Sequence, residues 1–236
     1  MKALVYTEAT KYSVEEVQLD APKAGELKIK MAATGVCHSD LSVIKGVIPL
    51  PPPMILGHEG AGIVEEIGEG VTGFEVGDHV VLSFVPACGK CYECIHQKPA
   101  LCSAGEPNGL MLDGTSRARM GDTQLGVMQF LGCMAEHAVV PHTAAVKIDK
   151  SFPLDKAALI GCGVPTGVGA ALTTAPVTAG STAAVFGCGG IGLSIIQGCR
   201  IAGADRIIGV DVADNKLEMA RKFGATDTIN GSDGQA

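Results

Sequence analysis

The sequence predicts a β-rich barrel domain over residues 1–152 followed by an α/β unit over 153–236, on three observations. Short apolar alternations broken by glycine fill the first part, strands alternate with helices in the second, and the pattern changes at Pro153. The composition, 236 residues with 47% apolar, 18% charged and 32 glycines, fits a globular chain with ample core.

Strand character marks 5–6, 27–32 (alternating Leu27, Ile29, Met31), 62–67, 79–83 and 138–140. Turn chemistry separates them, as in Ala24-Gly25-Glu26 and Val76-Gly77-Asp78, and such close spacing suggests a barrel. Pro49, Pro51, Pro52 and Pro53 make 48–53 a stiff connector into Gly57-His58-Glu59. Between 103 and 129 apolar periodicity is poor, which predicts an irregular surface lobe. Beyond Pro153, 157–160 and 168–173 read as helical. Then come a buried strand at 182–186, a helix at 190–202, a strand at 206–210, a helix at 215–223 and a third strand beginning at 226–229. Residues 231–236 read as a loop.

A formal charge of −7 without any Lys/Arg run argues against nucleic acid or an acidic membrane surface as partner. The uncharged stretch 157–199 is too rich in Gly, Thr and Pro for a membrane span. Thr7, Glu8 and Lys11 interrupt the N-terminus before an apolar run of signal-peptide length forms, so the expected location is cytoplasmic. In a reducing compartment nine cysteines are better explained by metal than by disulfides.

Cys88, Cys91, Cys94 and Cys102 form C-x2-C-x2-C-x7-C, a spacing that lets four thiolates close one tetrahedral zinc. An iron–sulfur cluster or four free thiols are the alternatives, although the run matches neither ferredoxin spacing. Cys37, His58 and Cys162 each sit in a glycine-flanked segment. United, they would make the three-ligand zinc site with an open position that holds an alcohol, but spacing does not unite them, and three unrelated buried residues remain the alternative. Gly187, Gly189 and Gly192 form G-x-G-x-x-G between a strand and a helix, with Asp211 at the end of the next strand to accept from ribose hydroxyls. A turn for another nucleotide, such as a methyl donor, is the competing reading. Asp211 would repel a 2′-phosphate, which favours NAD over NADP.

In this order the motifs resemble the zinc-dependent alcohol dehydrogenases of the medium-chain dehydrogenase/reductase family. The resemblance implies a GroES-like barrel followed by half of a Rossmann doubly wound parallel sheet, with two zincs and NAD. It implies catalytic-zinc ligands at Cys37, His58 and Cys162, a carboxylate at Glu59 that approaches the metal during ligand exchange, and Asp40 orienting His58. It gives Ser39 as the hydroxyl that takes the alcohol's proton. Thr166 and Ile191 would touch the nicotinamide, His38 the pyrophosphate and Lys216 the adenosine ribose; His38 is cationic only when protonated. Phe84, Phe130 and Leu131 would wall an apolar substrate slot.

Two departures from the family pattern stand out. Ser42 replaces the histidine that in many relatives hands the relay proton to solvent, and the chain stops at Ala236, just after the third strand, which points to a C-terminally truncated chain. The implied function is hydride transfer between a primary or apolar alcohol, or its aldehyde, and NAD, by a homodimer or homotetramer when full-length. A catalytically incompetent zinc-stabilised fragment and a glutathione-dependent formaldehyde (S-hydroxymethylglutathione) dehydrogenase are the alternatives. His79, His96, His137 and His142 read as surface or packing residues, and Cys133, Cys188 and Cys199 as buried or chance thiols, with Cys188 placed where oxidation would block NAD.

Overall fold

In the computed structural model, which describes residues 1–103, 109–232 and 234, the chain divides into the units Met1–Gly161 and Cys162–Ala236. Two sheets build the first unit. One has the order β2-β1-β5-β9-β8-β3, from β1 (Lys2–Glu8), β2 (Lys11–Glu16), β3 (Gln18–Leu19), β5 (Met54–Ile55), β8 (Ala118–Met120) and β9 (Thr123–Val127). The other has the order β10-β4-β6-β7-β11, from β4 (Glu26–Thr34), β6 (Gly60–Ile67), β7 (His79–Leu82), β10 (His137–Pro141) and β11 (Ala145–Ile148).

Alternation along β4 explains the layering: Leu27 and Ile29 are fully buried while Lys28 and Lys30 face outward. They meet Val64, Val80, Leu82, Leu131 and Val140 in one core, where each large aliphatic contributes about 1.5–3 kcal/mol. A second core gathers Val5, Val17, Ile55, Leu125 and Val127. Residues 134–136 stitch the sheets together. Leu4 donates its N–H to Met134 O at 2.8 Å, Glu136 donates to Lys2 O at 3.0 Å, and Met31 donates to Glu136 O at 3.0 Å.

The 103–129 stretch departs from the expected irregular lobe. Its later half is the β8–β9 hairpin, turned by Gly121 at φ +58°, with Ala118, Leu125 and Val127 facing the second core. Both strands are short, so their alternation never fills a window long enough to read; residues 104–108 of the stretch lie outside the described part. Arg117 anchors the hairpin from a position 2% exposed. Its Nε and Nη2 donate to Glu26 at 2.9 and 2.6 Å, and Nη2 donates to Asp113 at 2.8 Å.

Among the described residues three α-helices complete this unit: α1 (His38–Ile44), α2 (Tyr92–Ile95) and α3 (Leu154–Ala157). The sequence reading assigned no helix to α1, yet a start signal is present, since Asp40 in the first turn accepts the Cys37 N–H at 2.8 Å. α3 and the 3-10 turn Ala158–Gly161 pack on β4 and β6, with Ala157 and Ala158 against Ala61 and Val81. The contact boundary therefore follows Gly161, whereas the change of sequence pattern comes at Pro153.

The second unit opens with α4 (Gly163–Gly169) and a π turn, Ala170–Thr174. β12 (Thr182–Phe186), α5 (Gly190–Ile201), β13 (Arg206–Asp211), α6 (Asp214–Phe223) and β14 (Asp227–Asn230) follow as a parallel sheet of order β12-β13-β14. Each lies within one or two residues of its expected bounds. α4 reaches α5 closely because Gly167 has no Cβ; one would lie 2.4 Å from Ser194 Cβ. Of the terminal loop expected at 231–236, residues 233, 235 and 236 lie outside the described part. No single helix among the described residues is long and apolar enough to cross a membrane.

Candidate metal centres and dinucleotide turn

The sulfurs of Cys88, Cys91, Cys94 and Cys102 all lie within 4.8 Å of one another. Tetrahedral zinc–thiolate geometry requires sulfur–sulfur spacings of about 3.8 Å, and Cys91 Sγ stands 3.9 Å from Cys102 Sγ. Backbone N–H groups already face the sulfurs, Cys88 N donating to Cys102 Sγ and Cys91 N to Cys88 Sγ, both at 3.3 Å. The backbone N–H groups of Ser103 and Cys94 bring the Cys91 thiol down to about 6. Desolvation pushes the Cys94 thiol up to about 12, with the neighbouring sulfurs of Cys91, Cys102 and Cys88 adding to the shift against the Gly89 N–H. Without a cation the sulfurs cannot all ionise together, so the donor set fits a closed tetrahedral zinc.

A second cluster lies deeper in the same unit. Ligand atoms of Cys37, His58 and Glu59 approach within 4.8 Å of one another, with His58 and Glu59 3% and 4% exposed. Cys37 comes from the start of α1. His58 follows Gly57, whose φ of +96° and closeness to the Met134 backbone (2.6 Å from an added Cβ) exclude any side chain there. Asp40 ties the two ligands together: Oδ2 accepts the Cys37 N–H at 2.8 Å, and Oδ1 lies 3.2 Å from His58 Nδ1. Burial pulls the His58 pKa down, but the hydrogen bond and charge of Asp40 and the neighbouring Cys37 raise it above its ordinary value. Burial likewise opposes ionisation of Cys37, and Ser39 and His58 outweigh it to lower the thiol pKa. Ser39 Oγ sits 3.6 Å from Cys37 Sγ, and Phe84 meets the His58 ring edge-on at 5.7 Å. With Nδ1 engaged by a carboxylate and Nε2 left as the ligand atom, this set fits a zinc ligand arrangement.

Cys162 is the first residue of the second unit. Its chain neighbour Gly161 belongs to the first, where an added Cβ would lie 3.2 Å from Glu59 Cα.

In the second unit the turn after β12 has the form a pyrophosphate needs. Gly187 adopts φ +88°, and a Cβ on Gly192 would lie 1.8 Å from Gly187 O, so no side chain fits there. Around Gly189 and Gly190 no atom comes within 4 Å of an added Cβ, which leaves the backbone at the start of α5 open to close approach. The Asp211 carboxylate accepts the Cys188 N–H at 2.7 Å and the Ala213 N–H at 3.0 Å, and these bonds hold its pKa below the usual carboxylate value.

Family models match the chain over residues 23–150, as an alcohol dehydrogenase GroES-like domain, and over 190–236, as a zinc-binding dehydrogenase. The chain belongs to the zinc-dependent alcohol dehydrogenase family. Similar solved structures include an alcohol dehydrogenase zinc-binding domain protein from Burkholderia ambifaria, 37% identical with a TM-score of 0.92. Benzyl alcohol dehydrogenase from Acinetobacter calcoaceticus is 35% identical with a TM-score of 0.90; each match covers 98% of this chain and 64% of the other. An alcohol dehydrogenase from Escherichia coli solved with NADH is 32% identical with a TM-score of 0.79, covering 98% and 63%. The chain thus spans less than two thirds of the length of these family members.

The remaining expected site residues of this family member are placed as follows. Phe84 and Phe130 line a cavity of about 180 Å³ with Val85, Pro86, Ala100, Cys102 and Gln129. Leu131 is only 1% exposed and belongs to the first unit's core. His38 is exposed on α1, Ser42 is half-buried on the same helix, and Thr166, Ile191 and Lys216 are exposed on α4, α5 and α6. The suggestion that oxidation of Cys188 would block the cofactor does not hold. Its side chain is fully buried, its sulfur is 3.7 Å from Val210 O, and desolvation raises its thiol pKa. The sequence reading used Gly35 only as the glycine flanking the Cys37 segment and gave it no role of its own.

Proposed function

We propose that the chain carries the zinc and cofactor sites of an NAD-dependent alcohol dehydrogenase that oxidises a primary or apolar alcohol, or reduces the aldehyde. The observation that carries this reading is the double engagement of Asp40, whose two oxygens hold the Cys37 backbone and the His58 ring of one buried donor set. In this reading Cys37, His58 and Cys162 hold the catalytic zinc, and Cys88, Cys91, Cys94 and Cys102 hold a structural one. A zinc ion so held supplies Lewis acidity, lowering the pKa of an alcohol toward neutrality.

The chain's own residues do the rest. Asp40 fixes the His58 tautomer, so that Nε2 is the ligand atom. Ser39, beside Cys37, accepts the alcohol proton. Phe84 keeps water from the His58 ring and, with Phe130, offers an apolar wall that suits an unbranched or aromatic alcohol. Gly187, Gly189 and Gly192 admit a pyrophosphate at the α5 terminus, with His38 as a cationic partner when protonated. Asp211 accepts from ribose hydroxyls and opposes a 2′-phosphate, which favours NAD over NADP. Thr166, Ile191 and Lys216 complete the cofactor contacts.

Metal analysis combined with NADH production from a panel of alcohols tests the reading. Two zincs per chain with turnover on primary apolar alcohols is the expected result. One zinc, or two zincs without turnover on any alcohol, contradicts it.

A further inference from the structure

Gly35 directly follows β4, and its backbone holds Glu59 in place. The Gly35 N–H donates to Glu59 O at 3.0 Å, and Thr34 Oγ1 donates to the same oxygen at 2.8 Å. A Cβ added at Gly35 would lie 2.4 Å from Glu59 Oε2 and 3.0 Å from Glu59 Cδ. The carboxylate thus occupies the space a side chain at position 35 would take, while remaining within 4.8 Å of the Cys37 and His58 ligand atoms. The φ of Gly35 lies outside the left-handed region, so the backbone accepts alanine. Two hydrogen bonds pin the Glu59 main chain, and of the three Glu59 atoms near an added methyl the nearest is the far end of the side chain, Oε2, with Cβ at 3.1 Å.

We infer that Gly35 is a positioning residue: the missing side chain provides a slot in which the Glu59 carboxylate rests beside the metal ligands without joining them. The inference rests on the proposed zinc at Cys37 and His58. Closing the slot denies the carboxylate its resting place and leaves it competing with the ligands for the ion.

The test is chelator-driven zinc release from the purified full chain, followed with a chromogenic zinc indicator for the parent, Gly35→Ala, Glu59→Ala and the double variant. Gly35→Ala should release the inner zinc about tenfold faster, while the lobe zinc leaves at the parent rate. In the Glu59→Ala background, which removes the carboxylate and leaves only the Cβ 3.1 Å from an added methyl, the same substitution should accelerate release far less. An unchanged or slower release in Gly35→Ala overturns the inference, as does an acceleration that is undiminished without the Glu59 carboxylate. A parent chain holding zinc in the four-cysteine lobe alone overturns the inner site, and with it both readings, whereas a two-zinc parent with a silent Gly35→Ala removes this inference alone. Unchanged far-ultraviolet circular dichroism of each variant ensures that the rates report the site and not misfolding.

Discussion

The four-cysteine lobe draws its donors from one short loop, whereas Cys37 and His58 reach each other from α1 and the turn before β6. Around the lobe Tyr92, Ile95 and Leu101 are 68%, 63% and 63% exposed, and α2 there is one turn long. At the inner cluster Asp40, His58 and Glu59 are 2–4% exposed, and the sheets supply the walls. A donor set on a loop without a core depends on its ion for order. One set into a packed sheet is held before any ion arrives.

Chelation gives the largest contrast. Zinc binding contributes on the order of 10 kcal/mol in small zinc peptides, so stripping the metal should open the 88–103 loop to limited proteolysis while the β4–β6–β7 sheet stays protected. Equal protection with and without chelator would show that the lobe is self-supporting.

The second contrast separates lobe order from unit stability. Arg117→Met leaves Glu26, 7% exposed, with the Lys23 N–H at 2.9 Å but without its charge partner, and breaking such a buried pair costs about 3–5 kcal/mol. Urea unfolding should report a loss of that size with both zincs still bound at low urea. A change below 1 kcal/mol would mean that Arg117 is not a structural anchor.

Asp40→Ala probes the inner cluster alone. Removing a carboxylate behind a ligating histidine typically lowers metal affinity about 10–100-fold. Competition with a graded chelator should show that loss at the inner zinc and none at the lobe. Equal weakening of both would indicate a global effect.

The smallest effect is a pH dependence. Hydrogen bonds from Arg117, Thr115 and Lys23 outweigh desolvation and hold the Asp113 carboxyl below its ordinary value of 3.8. A carboxylate depressed in the folded state stabilises it fully above 3.8 and loses that contribution as pH falls through the folded value. The side chain is 41% exposed, so screening keeps the contribution small. Asp113→Asn should flatten part of the acid limb of the stability profile; an identical limb assigns it to other carboxylates.

The same comparison explains what the sequence revealed. β12, α5, β13, α6 and β14 were legible because each is a run of single period bounded by glycine or by a charge change. β8 and β9 were not, since their pairing is set by the Arg117 anchor and by partners far along the chain. Among the candidate sites, the lobe's cysteine spacing spoke for itself. Cys37 and His58 carry no mutual spacing signal, and family resemblance named them before geometry brought them together. Gly35 showed in the sequence only as a glycine flanking Cys37, because its role lies in an atom it lacks.

We propose that Cys37, His58 and Cys162 share one ion. Anomalous difference maps from crystals of the zinc-loaded chain, collected on either side of the zinc edge, test it most directly. Two peaks are expected, one among Cys88, Cys91, Cys94 and Cys102 and one touching Cys37 Sγ, His58 Nε2 and Cys162 Sγ. A single peak in the lobe, with those three groups apart, would contradict it.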